Sequence, residues 1–159
     1  MNAADPSSSR NDSDAPSTLD AETRALCATQ ARWLEACAIF GGIGLFAAGL
    51  AALCLATGAG YDLLRALACV AVALLPFERF LALRLRFDRG LFADLAAARI
   101  ADLPTLDRAL AASGLRRASA GPTRTLADRV RGTRRLWRAH AAVATAQLLL
   151  SLAAAALRI

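Results

Sequence analysis

Lysine is absent from this chain: all 19 basic residues are arginine. Arginine and alanine share GC-rich codons, so a GC-rich genome explains the bias without any selected use of guanidinium. Histidine is nearly absent too, with one copy, His140. A haem held between two histidines is therefore excluded unless a partner supplies the second ligand. A Ser-His-Asp or Cys-His centre built on a single histidine at an apolar boundary is equally hard to argue. The four cysteines, Cys27, Cys37, Cys54 and Cys69, form no C-x-x-C pair, and three lie in apolar runs. They are expected to behave as small hydrophobes, with no disulfide and no metal. Neither G-x-x-x-x-G-K-[ST] nor G-x-G-x-x-G occurs, so no phosphate loop is indicated. The first thirty residues are polar and acidic, and no cleavable leader is expected. No catalytic residue, cofactor or metal ligand is nominated.

What remains is apolar and helical. Hydrophobic residues make up 57% of the 159, against about 45–50% in soluble domains, and aromatics only 6%. The apolar mass is Ala and Leu, strong helix formers, while strand-favouring residues are scarce. The expected fold is an all-α integral membrane protein. It has three transmembrane helices and an amphipathic cytoplasmic helical hairpin between the second and third.

Residues 1–16 are Ser, Asp, Asn and Pro with little to bury, and are expected to be disordered. Residues 17–35 read as a juxtamembrane helix, with Ser17 and Asp20 as a weak capping box and Leu19, Leu26 and Trp33 on one side. Residues 36–57 carry no charge and give about 33 Å of helix, enough for a hydrocarbon core of about 30 Å. Trp33 suits the headgroup layer before this first span. Thr57-Gly58-Ala59-Gly60 turns the chain. The second span is expected at 61–83, since the uncharged run 66–77 is only about 18 Å long. Asp62 and Arg65 then sit at one interface, Glu78 and Arg79 at the other, and Pro76 kinks the helix just before them. The third span is expected at 139–157, anchored by Trp137.

The segment 84–138 is the Arg-rich cytoplasmic part. Phe77, Phe80, Leu81, Leu85, Phe87, Leu91, Phe92 and Leu95 fall within a helical arc of roughly 160°. Arg84 and Asp88, four residues apart, interrupt this arc. They are expected to form a buried ion pair where the arc packs on a neighbour. Asp102-Leu103-Pro104 restarts a helix, Ser113-Gly114-Leu115 caps it, 116–122 forms a loop, and 123–136 runs on into the third span. Arg129, Arg131, Arg134, Arg135 and Arg138 are expected to contact anionic lipid headgroups. The same cluster lacks the aromatic platforms and motifs of a nucleic-acid binder, so no nucleic acid is expected.

Helix packing is expected on a small-residue ladder that includes Gly42, Gly44, Ala48 and Ala52. His140, Ala144, Gln147 and Ser151 make a partly polar stripe on the third span. It is read as interhelical hydrogen bonding, because no intramembrane carboxylate accompanies it. Fourteen of the 19 arginines lie between residues 78 and 138 and none at 58–62. The positive-inside rule then puts the N-terminus in the cytoplasm and the C-terminus in the periplasm of a bacterial inner membrane. The expected role is a small non-enzymatic accessory or scaffold subunit of an inner-membrane complex, with a protein partner or as a homo-oligomer. The alternatives are a pore former of the phage-holin kind or a small oligomeric transporter.

Overall fold

The computed structural model describes residues 19–57, 62–115 and 125–156. The tail at 1–16, Ser17, the turn at 58–60 and the loop at 116–122 lie outside them. Every regular element among the described residues is helical: α1 (Ala21–Ala36), α2 (Ile39–Ala56), α3 (Asp62–Ala73), α4 (Leu75–Ala96), α5 (Leu103–Ala112) and α6 (Leu126–Ala156). Grouped across short breaks, they give three helices long and apolar enough to cross a membrane: Ala21–Ala56, Asp62–Ala96 and Leu126–Ala156.

Local chemistry sets the element ends. Helix α1 starts at Ala21 because the Asp20 carboxylate accepts the Thr23 N–H at 2.8 Å. Between α1 and α2 the N–H groups of Ala38, Phe40 and Gly41 each bond three residues back, a tightened elbow. The α3–α4 break at Leu74 has a similar local cause: Pro76, in the first turn of α4, has no N–H to offer the Val72 carbonyl. The second spanning segment is therefore two helices that meet just before Glu78. Asp102 caps α5 by accepting the Thr105 N–H at 2.6 Å. Gly114 ends α5 at φ +70°, and the Leu115 N–H reaches back to the Leu110 carbonyl, the cap expected from Ser113-Gly114-Leu115. Thr125 caps α6, which runs unbroken for 31 residues, about 46 Å.

Two apolar cores lie along this bundle. The first buries Cys27, Ala31, Leu34, Leu85, Phe92, Leu95 and Leu106, with Trp33, Leu136 and Trp137 packed against it. The second buries Ala51, Cys54, Leu64, Ala68, Ala71 and Ala154. Around the second, the bulky side chains point out: Leu45, Phe46, Leu53, Leu63, Val70, Leu149 and Leu152 are all about half exposed or more. Small residues inside and large apolar ones outside is the packing expected of helices solvated by lipid rather than water.

The burial pattern shifts two sequence expectations. On α4 the buried seam runs through Glu78, Leu81, Leu85, Phe92 and Leu95, with Asp88 mostly covered, a three-four spacing. Phe77 and Phe80, counted in the apolar arc, are 51% and 62% exposed. On α2 the buried face is Gly44, Ala47, Ala48, Ala51 and Cys54, whereas Gly42 and Ala52 are exposed. Steps of four residues drift by roughly 40° each on a helix of 3.6 residues per turn. A ladder of fours therefore rotates off the contact face, and a three-four alternation stays on it.

Candidate functional site: a buried polar layer between the two cores

Where the two cores meet, the packing turns polar. Glu78 is fully buried in the first turn of α4. Its Oε1 is hydrogen-bonded to Nε2 of His140 on α6 at 2.7 Å, and His140 is 2% exposed. Its Oε2 accepts from Arg79 Nε at 2.5 Å, while Arg79 Nη2 lies 2.7 Å from Oε1. The same Nη2 donates to the Gly41 carbonyl on α2 at 2.5 Å. One carboxylate thus ties α2, α4 and α6 together.

Gly44 makes the layer possible. A Cβ at this position would stand 2.8 Å from Glu78 Cδ and 3.0 Å from Oε1. The carboxylate lies directly against the α2 backbone, and its oxygens are held by Arg79 and His140, so it has little room to yield. Gly44 was expected as a packing residue; its position shows the more specific duty of accommodating an ion.

Two further polar side chains follow on α6. Gln147 Nε2 donates to the Ala71 carbonyl on α3 at 3.0 Å. Ser151 Oγ lies 2.8 Å from the Ala47 carbonyl on α2 and 2.7 Å from the Gln147 carbonyl, so its one proton serves either acceptor. The stripe of His140, Ala144, Gln147 and Ser151 is buried throughout, and each of its polar members bonds another helix. The premise that no carboxylate accompanies it does not hold: Glu78, placed at an interface by its sequence context, sits against His140. The signal was legible, since Glu78 stands three and seven residues before Leu81 and Leu85 on the buried seam. Two atoms of the layer, His140 Nδ1 and Gln147 Oε1, are buried without a partner.

The remaining nominated residues spread along the first core. Arg84 and Asp88 approach to 3.9 Å, with their side chains 48% and 16% exposed. The pair is half open within this chain rather than buried. Asp88 also accepts from Thr133 of α6 at 3.1 Å, and the Arg84 guanidinium lies over the Phe87 ring. Arg131, Arg134, Arg135 and Arg138 are exposed. Arg129 is not: at 14% exposure it is paired with Asp107 of α5. It turns inward because α5 crosses beside it with the opposite charge. Trp33 and Phe40, from two other helices, pack tilted and edge-on against Trp137 of α6, with ring centres 5.1 and 5.9 Å away.

The groups gathered here can hold helices in register, or hold a proton between a carboxylate and an imidazole. Among the described residues, no three His, Cys, Asp or Glu side chains converge as metal ligands do. No family model matches the chain, and neither a curated protein nor a solved structure matches it.

Proposed function

We propose that this chain is a three-span membrane protein acting as a non-enzymatic accessory or scaffold subunit of a bacterial inner-membrane complex. Its N-terminus is cytoplasmic and its C-terminus periplasmic. The observation that carries the reading is how the buried polar groups are used. Glu78, Arg79, Gln147 and Ser151 each bond across to another helix, so they act as glue between spans. The basic first core then presents Arg131, Arg134, Arg135 and Arg138 to anionic headgroups, and leaves the α4–α5–α6 surface for a partner. Topology follows from the arginine asymmetry and is tested by reporter fusions at residues 16, 59, 118 and 159. A cytoplasmic signal at 159 overturns it. The role is tested by affinity capture in mild detergent read by mass spectrometry: a stable, defined set of membrane partners is expected, and self-association alone overturns it.

The Glu78–His140 pair favours a second reading, a small oligomeric transporter that carries protons. A buried carboxylate within a span is a common functional element, and His140 keeps one nitrogen without a partner. Proteoliposomes under an imposed pH gradient separate the two. Proton flux lost in Glu78→Gln supports transport; absence of flux from wild type supports the scaffold.

A further inference from the structure

A cavity of about 410 Å³ opens between the α1–α2 elbow and α4. That volume lies within the range of small-molecule sites, about 300–1,000 Å³. Its lining combines the apolar side chains of Leu34, Leu45, Leu83 and Leu85 with Arg79, Arg86, Arg89 and His140. Arg79 is paired with Glu78, and Arg89 with Glu35 at 2.9 Å. Arg86 has no carboxylate partner among the described residues, so three arginines face two carboxylates and one positive charge is left over. His140 adds a second unmet group, its buried Nδ1.

We propose that this cavity binds one anionic phospholipid, its phosphodiester on Arg86 and Arg89 and an acyl chain along Leu45 and Leu83. A phosphodiester carries the single negative charge that the arginines leave uncompensated, and it offers the acceptor oxygens a guanidinium fork requires. The position argues for a lipid rather than a free anion. Phe40, adjoining the cavity residue Gly41, belongs to the aromatic cluster with Trp33 and Trp137, and tryptophans mark headgroup level. Leu45 and Leu83, at the cavity, are 51% and 66% exposed, so apolar surface is available to an acyl chain at the cavity's edge. Basic pockets between helices at this level are the known chemistry of anionic headgroup capture. This goes beyond the general attraction of the α6 arginines, which lie on a different surface.

The inference rests on the membrane reading, and the test separates the two. Fractionation comes first: a chain that stays soluble without detergent overturns the membrane reading and this proposal with it. Detergent-purified full chain is then titrated with phosphatidylglycerol, phosphatidylcholine or inorganic phosphate, and bound molecules are counted by native mass spectrometry. Expected is one tightly held phosphatidylglycerol, weakened at least about fivefold in Arg86→Gln, the loss of roughly one charge contact. Gly42→Leu gives an independent block, since Gly42 lines the cavity and an added Cβ there meets nothing within 4 Å, so the larger side chain can be accommodated while adding bulk at the cavity wall. Binding should survive in the Arg134→Gln/Arg135→Gln variant. Equal retention of phosphatidylcholine, unchanged binding in both Arg86→Gln and Gly42→Leu, or displacement by equimolar inorganic phosphate each overturns the proposal.

Discussion

The two cores of this molecule are packed by opposite rules. The first buries leucines and Phe92 beside two tryptophans and keeps most of its arginines at the surface, Arg129, paired with Asp107, being an exception. The second buries mostly alanines, with Cys54 and Leu64, and keeps most of its large apolar residues, Phe46, Leu53, Leu63 and Leu149 among them, outside. In water, sequestering a large apolar side chain contributes about 1.5–3 kcal/mol, so large residues belong within. Against lipid tails that gain vanishes, and helices associate through close backbone approach and hydrogen bonds. The Ala-lined core and its Gln147 and Ser151 bonds to backbone carbonyls follow the second rule. Glu78 and His140 sit where the rules change.

Breaking that junction should have the largest effect. Glu78→Ala leaves Arg79 and His140 facing an empty carboxylate position, at a cost of about 3–5 kcal/mol. Unfolding in mild detergent and steady-state level should both collapse, while Glu78→Gln, which keeps shape and one acceptor, should lose less. Equal stability of Glu78→Ala and wild type would remove the layer from any structural role.

The contrast between the cores is sharpened by a matched pair of truncations. Phe92→Ala in the first core should cost about 3–5 kcal/mol. Phe46→Ala, at 67% exposure beside the second core, should change stability by under about 0.5 kcal/mol. A large effect at Phe46 would mean that a protein surface, not lipid, covers this face.

A smaller effect is expected at Gly44. Gly44→Ala forces the Glu78 carboxylate to move and should cost about 1–3 kcal/mol. Gly49→Ala on the same helix meets nothing within 4 Å and should be neutral or stabilising, since Ala is the better helix former. Identical behaviour of the two would mean that the carboxylate has room to yield.

The smallest effect is on pH. A side-chain hydrogen bond to Thr23 holds the Asp20 carboxyl below its usual range, and Thr105 does the same for Asp102. Depressed carboxyl groups stabilise the fold fully above the ordinary value of 3.8. That stabilisation is lost as pH falls through the lowered folded value. Hydrogen exchange of the first turns of α1 and α5 should therefore quicken in acid before that of α2 or α3. Uniform quickening across all helices would count against a cap-specific cause.

Much of this was readable before any coordinates. The uncharged run at 36–57, the cap at Ser113-Gly114-Leu115 and the break near Pro76 each follow from local chemistry, and local chemistry is written in adjacent residues. The phase of the buried seams was harder. A wheel weighted by large apolar residues assumes that bulk goes inside. That holds for Leu85, Phe92 and Leu95 and fails for Phe77 and Phe80, which lie where the second packing rule applies. The same assumption placed Glu78 at the edge, although its spacing to Leu81 and Leu85 put it on the seam.

Composition and periodicity alone determined the helical class, the three apolar segments and the uneven spread of arginine, because each is a property of the chain read in order. Only the tertiary structure decided which charges meet. Glu78 and His140 are 62 residues apart and Arg129 and Asp107 are 22 apart. Nothing local links either pair: each meets only when helices distant in sequence pack side by side, and at Glu78 that packing is close enough to leave no room for a Cβ on Gly44.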